Sequence, residues 1–400
     1  MAAATVTKRQ IFYIPGFDPH PPRRYRELYR TESARQAAIS GFEIAMKPRK
    51  GERFGWQVDA CIDGGATTSE IEVLVWSDIV RRSMGTAIGA TYWQLVHTAW
   101  IYMATGTLWR LMRLRKGPII AALYPVAMLL AQLLVALAAG LGLSWLAAIW
   151  VPLALAVVPG VVLAWLLLRW FRARDNRLFA YYLMHDYYHS ARHRGATPPD
   201  MRARLAVFEE AIAGALTGDA DEVLVVGHSS GAHLAVSILA NLIRQGRVPK
   251  AGPKLSFLSL GQVIPMVSFL PRADSLRADL HYLSQRDELT WVDITAPGDG
   301  CAFALCDPVG VSGVSPANQR WPLVLSAAFT QTLSPETWKA LRWRFFRLHF
   351  QYLCAFDRPG DYDYFRITAG PQTLAQRFDG RKPSDSRIVD PVSRYTSMAA

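Results

Sequence analysis

The residues best suited to chemistry lie in one run, DADEVLVVGHSSGAHLAVSILA at positions 219–240. Apolar Val223, Leu224, Val225 and Val226 lead into Gly227-His228-Ser229-Ser230-Gly231, and Ala232, Ala235, Val236, Ile238 and Leu239 then recur at helical spacing. The pattern predicts strand, tight turn and helix, with Ser229 at the apex. A serine hydroxyl is a weak nucleophile until a base takes its proton, and a sharp turn lifts it clear of the sheet. Flanking glycines let strand and helix backbones approach where a side chain would collide. The chemistry such a turn serves is attack on an acyl carbonyl. A phosphate-binding turn is the competing reading, but the spacing fits neither a Walker A loop nor a dinucleotide fingerprint.

Other elements must bring a base, an acid and hydrogen-bond donors to that serine. A short strand at 10–14 runs into the loop Pro15-Gly16-Phe17-Asp18-Pro19. Further strands are expected at 54–62, 71–76, 254–260 and 289–295, and helices at 25–39, 178–194, 201–216, 272–283 and 335–354. The strand at 289–295 spills into Ala296-Pro297-Gly298-Asp299-Gly300, with Asp293, Asp299 and Asp307 as the nearby acids. His185, His189 and His193 sit four apart, a helical spacing that can bind zinc. The interleaved Tyr181, Tyr182, Tyr187 and Tyr188 read instead as a helix beside a membrane.

With the elbow at Gly227 to Gly231, the glycine loop at Gly16 and alternating strands and helices downstream, the chain resembles the α/β-hydrolase superfamily. The resemblance covers roughly 10–80 and 178–355, and the elbow is its one specific motif. It implies an α/β fold, a mostly parallel sheet flanked by helices, and a triad in the chain order serine, acid, histidine. Under that order His349 is the general base, because His281 precedes the last acid strand and the other histidines lie upstream. Family acids occupy the loop past a strand end, which favours Asp299, with Asp307 and then Asp293 as alternatives. The backbone N–H groups of Phe17 and Ser230 are the expected oxyanion donors. His228, inside the elbow, and His233 read as packing residues or as support behind the groups that do the chemistry.

Composition adds a second theme. Of the 400 residues 51% are hydrophobic, and the stretch 117–168 carries no charged side chain. About 20 helical residues cross a hydrocarbon core of about 30 Å, so two spans are expected at 119–140 and 145–168, turning at Gly140-Leu141-Gly142-Leu143-Ser144. Arg110, Arg113, Arg115 and Lys116 precede the pair, and Arg169, Arg172, Arg174 and Arg177 follow it, which places both ends in the cytoplasm of a bacterial inner membrane. The net charge of +12 suits a domain held against an anionic leaflet. No motif points to nucleic acid. The stretch 83–109 is uncharged but for His97, Arg81 and Arg82 lying before it. If one sheet unites 10–80 with 220–350, crossings between them must be even, so 83–116 is an interfacial or lid helix carrying Tyr92, Trp93, Trp100, Tyr102 and Trp109.

The expected division is therefore 1–82 and 170–355 as two parts of a hydrolase domain, 83–116 as the interfacial helix, 117–169 as a transmembrane hairpin and 356–400 as a loop-rich, partly mobile tail. MAAATVTKRQ has no apolar core, so no secretory leader is expected. Cys61, Cys301, Cys306 and Cys354 show no zinc-ligand spacing and read as reduced thiols. No cofactor or metal is expected, and oligomeric state is open. The functional expectation is a membrane-anchored serine hydrolase acting on a carboxylic ester or thioester, with the bilayer and a lipid-like acyl substrate as partners. An acyltransferase on the same scaffold, a non-catalytic membrane scaffold, and a metal-dependent function at His185, His189 and His193 are the alternatives.

Overall fold

Eight strands alternate with helices along the chain. In the computed structural model residues 5–49, 51, 53–85 and 87–399 are described. Residues 1–4, on which part of the leader expectation rests, lie outside them, as do positions 50, 52, 86 and 400 of the expected segments. The strands are β1 (Lys8–Ile14), β2 (Glu43–Pro48), β3 (Gly55–Ile62), β4 (Gly65–Val73), β5 (Glu222–His228), β6 (Lys254–Leu260), β7 (Leu289–Thr295) and β8 (Leu323–Ser326). They form one sheet in the order β2-β3-β4-β1-β5-β6-β7-β8. From β4 through β8 every pair is parallel, while β2 and β3 form an antiparallel edge.

Alternation along the strands builds two cores. Phe12, Val223, Val225, Phe257 and Trp291 face the helices Pro199–Leu216, Gly231–Arg244 and Asp274–Leu283. Ile11, Tyr13, Leu224, Val226, Leu258 and Val292 face the other way, toward Tyr25 and Tyr29 of helix Arg23–Ser40 and toward Tyr352, Phe356 and Phe365. β5 is buried at every position, as a central strand covered on both faces must be.

At the base of the sheet a charge pair is sealed in. Arg9 Nε donates to Glu222 Oε2 at 2.6 Å with both side chains fully buried. The guanidinium also donates to the carbonyls of Gly370 and Gln372, and Glu222 accepts from Ser256 Oγ and Leu374 N–H. The C-terminal stretch is thus part of the domain. Its helices Tyr364–Ala369 and Leu374–Arg377 are short, yet Phe365, Ile367 and Leu374 are buried, which corrects the expectation of a partly mobile tail.

Between β4 and β5 stands an inserted pair of long apolar helices, Lys116–Ala147 and Leu153–Ala173. At 1.5 Å per residue they reach about 48 and 32 Å. They are largely exposed, with Trp145 75% accessible and Trp150, in the connection between them, 83%. The expected turn at 140–144 is instead helical. Gly140 is a packing residue, since a Cβ there would lie 2.6 Å from the Gly160 carbonyl oxygen, and the chain turns at 148–152, ahead of Pro152. The stretch 83–116 also breaks: helix Ser77–Ser83 ends where it begins, and Ile88–Ala104 and Thr107–Leu114 follow, with Gly106 at φ +69° between those two. Tyr92 donates to the Leu129 carbonyl and Tyr102 to that of Met266, so Ile88–Ala104 lies across the hairpin while Trp93 and Trp100 face outward.

The Arg9–Glu222 pair sets a stability test. Glu222→Ala leaves a buried guanidinium without its counter-charge, so unfolding free energy should fall by about 3–5 kcal/mol, read from chemical or thermal denaturation beside the wild type.

Candidate functional site

The turn after β5 forms because three backbones crowd together. A Cβ on Gly231 would sit 2.1 Å from the Ile14 carbonyl oxygen, and one on Gly16 would sit 2.9 Å from Ser229 Cβ. Glycine is therefore required where the β1 loop passes the elbow. Ser229 takes φ +57°, a left-handed conformation costing a side-chain-bearing residue about 1–2 kcal/mol, and its N–H bonds to the Leu260 carbonyl at 2.9 Å. From Glu222 to Ala232 every residue is buried except Ser229. Strain and packing together hold that one side chain out of the core.

The histidine and acid arrive from far along the chain. Asp299 occupies the loop after β7, where its N–H bonds to the Ala296 carbonyl and its Oδ1 accepts the Cys301 N–H at 2.9 Å. Its Oδ2 accepts from His349 Nδ1 at 2.7 Å and from the Tyr352 hydroxyl at 3.0 Å. Tyr352 in turn accepts the Ala296 N–H, so one tyrosine ties the acid to its own loop. With Nδ1–H given to the carboxylate, His349 Nε2 carries the free lone pair; it is buried and has no partner. The expected helix at 335–354 is broken into Pro335–Leu341, Phe345–His349 and a 3-10 turn at Gln351–Leu353, so His349 stands at a helix end.

The alternative acids are otherwise engaged. Asp307 caps the turn Pro308–Val311 through Val309 and Gly310 N–H and accepts from Gln319. Asp293 lies within β7, fully buried, accepting from Ser259 Oγ at 2.5 Å. His228 is more than packing. Its Nε2 lies 3.0 Å from the His349 carbonyl, the rings are 4.8 Å apart, and burial holds its pKa well below the ordinary value, so the neutral ring donates and steadies the His349 backbone. Desolvation holds the half-buried His233 at about 4.

Neither the Phe17 nor the Ser230 backbone N–H donates to another group among the described residues. The Phe17 carbonyl accepts from Tyr182, which pins that peptide from the far side. Ser229, Ser230, Phe17 and His349 all open onto one cavity of about 1130 Å³, which runs out past Tyr182 and Leu183 to Pro118 and Phe179 at the foot of the long helices.

Three residues in this site escaped the sequence reading. Cys301 and Tyr352 lie two and three residues beyond Asp299 and His349 but belong to no motif, whereas Asp186 was visible only as part of a tyrosine-rich helix. Burial lifts the Asp186 carboxyl to about 7, with His349 pulling the other way. Burial, then Asp299 and Asp186, hold the Cys301 thiol far above its ordinary value. The three spaced histidines do not converge: His185 Nδ1 pairs with Gln94 at 2.7 Å, His189 packs on Phe17 and Trp76, and His193 is exposed. Among the described residues the one group with metal-ligand proximity is Asp299, Cys301 and His349.

Comparison of the chain with family models, with curated proteins and with solved structures finds no match.

Asp293 yields a pH test. Burial raises its carboxyl to about 8 from an ordinary 3.8. Between about pH 4 and pH 8 the folded chain keeps a proton that the unfolded chain has released, so this residue makes stability fall as pH rises. Asp293→Asn should narrow the difference in Tm between about pH 5 and about pH 8; an unchanged difference would place the titration elsewhere.

Proposed function

We propose that this chain is a membrane-anchored serine hydrolase of α/β-hydrolase type, cleaving a carboxylic ester or thioester with a fatty acyl chain. The observation that carries the reading is the buried Asp299–His349 pair, whose Nε2 has no partner, with His349 and Ser229 lining one cavity. Ser229 Oγ attacks the acyl carbonyl while Nε2 accepts its proton. Asp299 holds the ring by Nδ1–H and offsets the imidazolium charge, and Nε2 then returns the proton to the leaving group. Water attacks the acyl-enzyme by the same relay, freeing the acid and Ser229. Nε2 has no hydrogen-bond partner in the empty site, so the serine swings onto it as substrate enters, a tightening common to such sites.

The free N–H groups of Phe17 and Ser230 fit an oxyanion hole, each donor contributing about 3 kcal/mol to the transition state. In the family the first donor follows the third strand. Here it follows β1, which nevertheless pairs directly with β5, so the donor loop meets the elbow from the same side. Cys301 is the rival nucleophile in the cavity. Its thiol is held protonated by burial and by two carboxylates, which favours Ser229.

The hairpin supports a bilayer as the second partner. Its helices are long, apolar and largely exposed, unlike a soluble core pair, and arginines flank both feet. Outward Trp93 and Trp100 on Ile88–Ala104 suit the interface beside it. A cavity reaching Pro118 and Phe179 at those feet suits a substrate whose chain comes from the membrane.

A fluorophosphonate probe should label the wild-type chain in detergent at Ser229. Ser229→Ala should abolish labelling, and His349→Ala should slow it about a thousandfold; labelling that survives the serine change would refute the assignment. Incubation of an acyl ester with and without an alcohol acceptor then separates free acid from a transferred acyl group. Carbonate washing should leave the chain with the membranes, and its release would remove the bilayer from this reading.

A further inference from the structure

The group Asp299, Cys301 and His349 has more in it than a triad requires. One carboxylate oxygen, the thiol sulfur and one imidazole nitrogen lie within 4.8 Å of one another. Asp299 itself fixes the thiol's place, because its Oδ1 holds the Cys301 backbone N–H while its Oδ2 holds His349. His349 is 6% exposed, and its Nε2 is a buried nitrogen with no partner. Cys301, His349 and Asp186 line the same large cavity, so an ion has a route in. Asp186 makes no hydrogen bond or ion pair among the described residues and leaves a further oxygen donor on that wall.

Nitrogen, sulfur and oxygen donors together suit Zn²⁺, which takes Cys, His and carboxylate ligands in tetrahedral geometry with ligand atoms about 3.5 Å apart. From separations within 4.8 Å, closing to that spacing requires at most about 1 Å of movement. We propose that Zn²⁺ binds reversibly to Asp299, Cys301 and His349 Nδ1 and switches the site off by leaving the ring's proton on Nε2, where the imidazole can no longer accept the proton of Ser229. On binding, the thiol gives its proton to solvent and the Nδ1 proton passes to Nε2, so the imidazole coordinates as a neutral ligand and no oxidant or second reactant is involved.

The metal site stands on geometry alone, whereas its inhibitory effect rests on the serine hydrolase reading. The test uses the purified full-length chain in detergent. Co²⁺, added as a spectroscopic substitute, should produce thiolate-to-cobalt charge-transfer absorption in wild type that is absent from Cys301→Ser. Micromolar Zn²⁺ should slow fluorophosphonate labelling of Ser229 on the order of tenfold, chelator should restore it, and Cys301→Ser should need roughly tenfold or more additional zinc for the same effect. Equal zinc sensitivity in the two proteins, together with no sulfur-to-cobalt band, would overturn the proposal. If Ser229 is never labelled, the hydrolase reading and the inhibitory effect both fail, and the cobalt spectrum alone still decides whether the metal site exists.

Discussion

The contact on which the candidate site depends is a backbone crossing. The chain leaving β1 runs so close to the elbow that Gly231 has no room for a Cβ beside the Ile14 carbonyl, and Gly16 has none beside Ser229. That closeness follows from register: β1 and β5 are parallel neighbours, with Ile14 opposite Gly227, so both strands end at the same height. Two loops that start level and diverge leave a notch between them, and the Phe17 and Ser230 N–H groups face it unpaired. Ligand sites form at such points in open α/β sheets, outside the carboxyl ends of the strands.

Around the notch, each of these side chains is held by a second group. Asp299 is braced by Cys301 N–H and by Tyr352, His349 by Asp299 on one side and by His228 at its carbonyl. These groups are desolvated, so an unfilled lone pair among them is costly. The arrangement leaves His349 Nε2 in that state, beside a strained serine. Stability is given up at two adjacent places, which is where functional sites keep such deficits.

How much could be read from the chain follows from how local each feature is. The elbow was legible because strand, turn and helix are contiguous and Gly227, Ser229 and Gly231 carry the constraint within five residues. The existence of the long apolar helices was legible from composition, but their ends were not, since Gly140 and Gly142 look like a turn until a partner helix is there to use the missing Cβ. β2 and β8 went unnoticed: one is an edge whose apolar alternation is only Ile44 and Met46, the other only four residues long. The pairing of His349 with Asp299 was reachable from chain order, whereas Tyr352, Cys301 and Asp186 come together only through packing between segments more than 50 residues apart. The C-terminal stretch misled for the opposite reason, because its turn-rich composition hides a row of buried aromatics and two carbonyls that a buried arginine needs.

The placement of the apolar pair within the sheet has a consequence for how the protein is made. β1 needs β4 on one side and β5 on the other, and about 150 residues, the whole insertion among them, separate those two partners. At about 5–20 residues per second, the ribosome takes roughly 7–30 s to deliver the second neighbour after the first. Through that interval the nascent domain is a half-sheet with Arg9 unmatched, while the greasiest part of the chain emerges. Synthesis of the helix pair is therefore complete before the sheet can close, and the turn that holds Ser229 is among the last parts of the sheet's centre to be assembled.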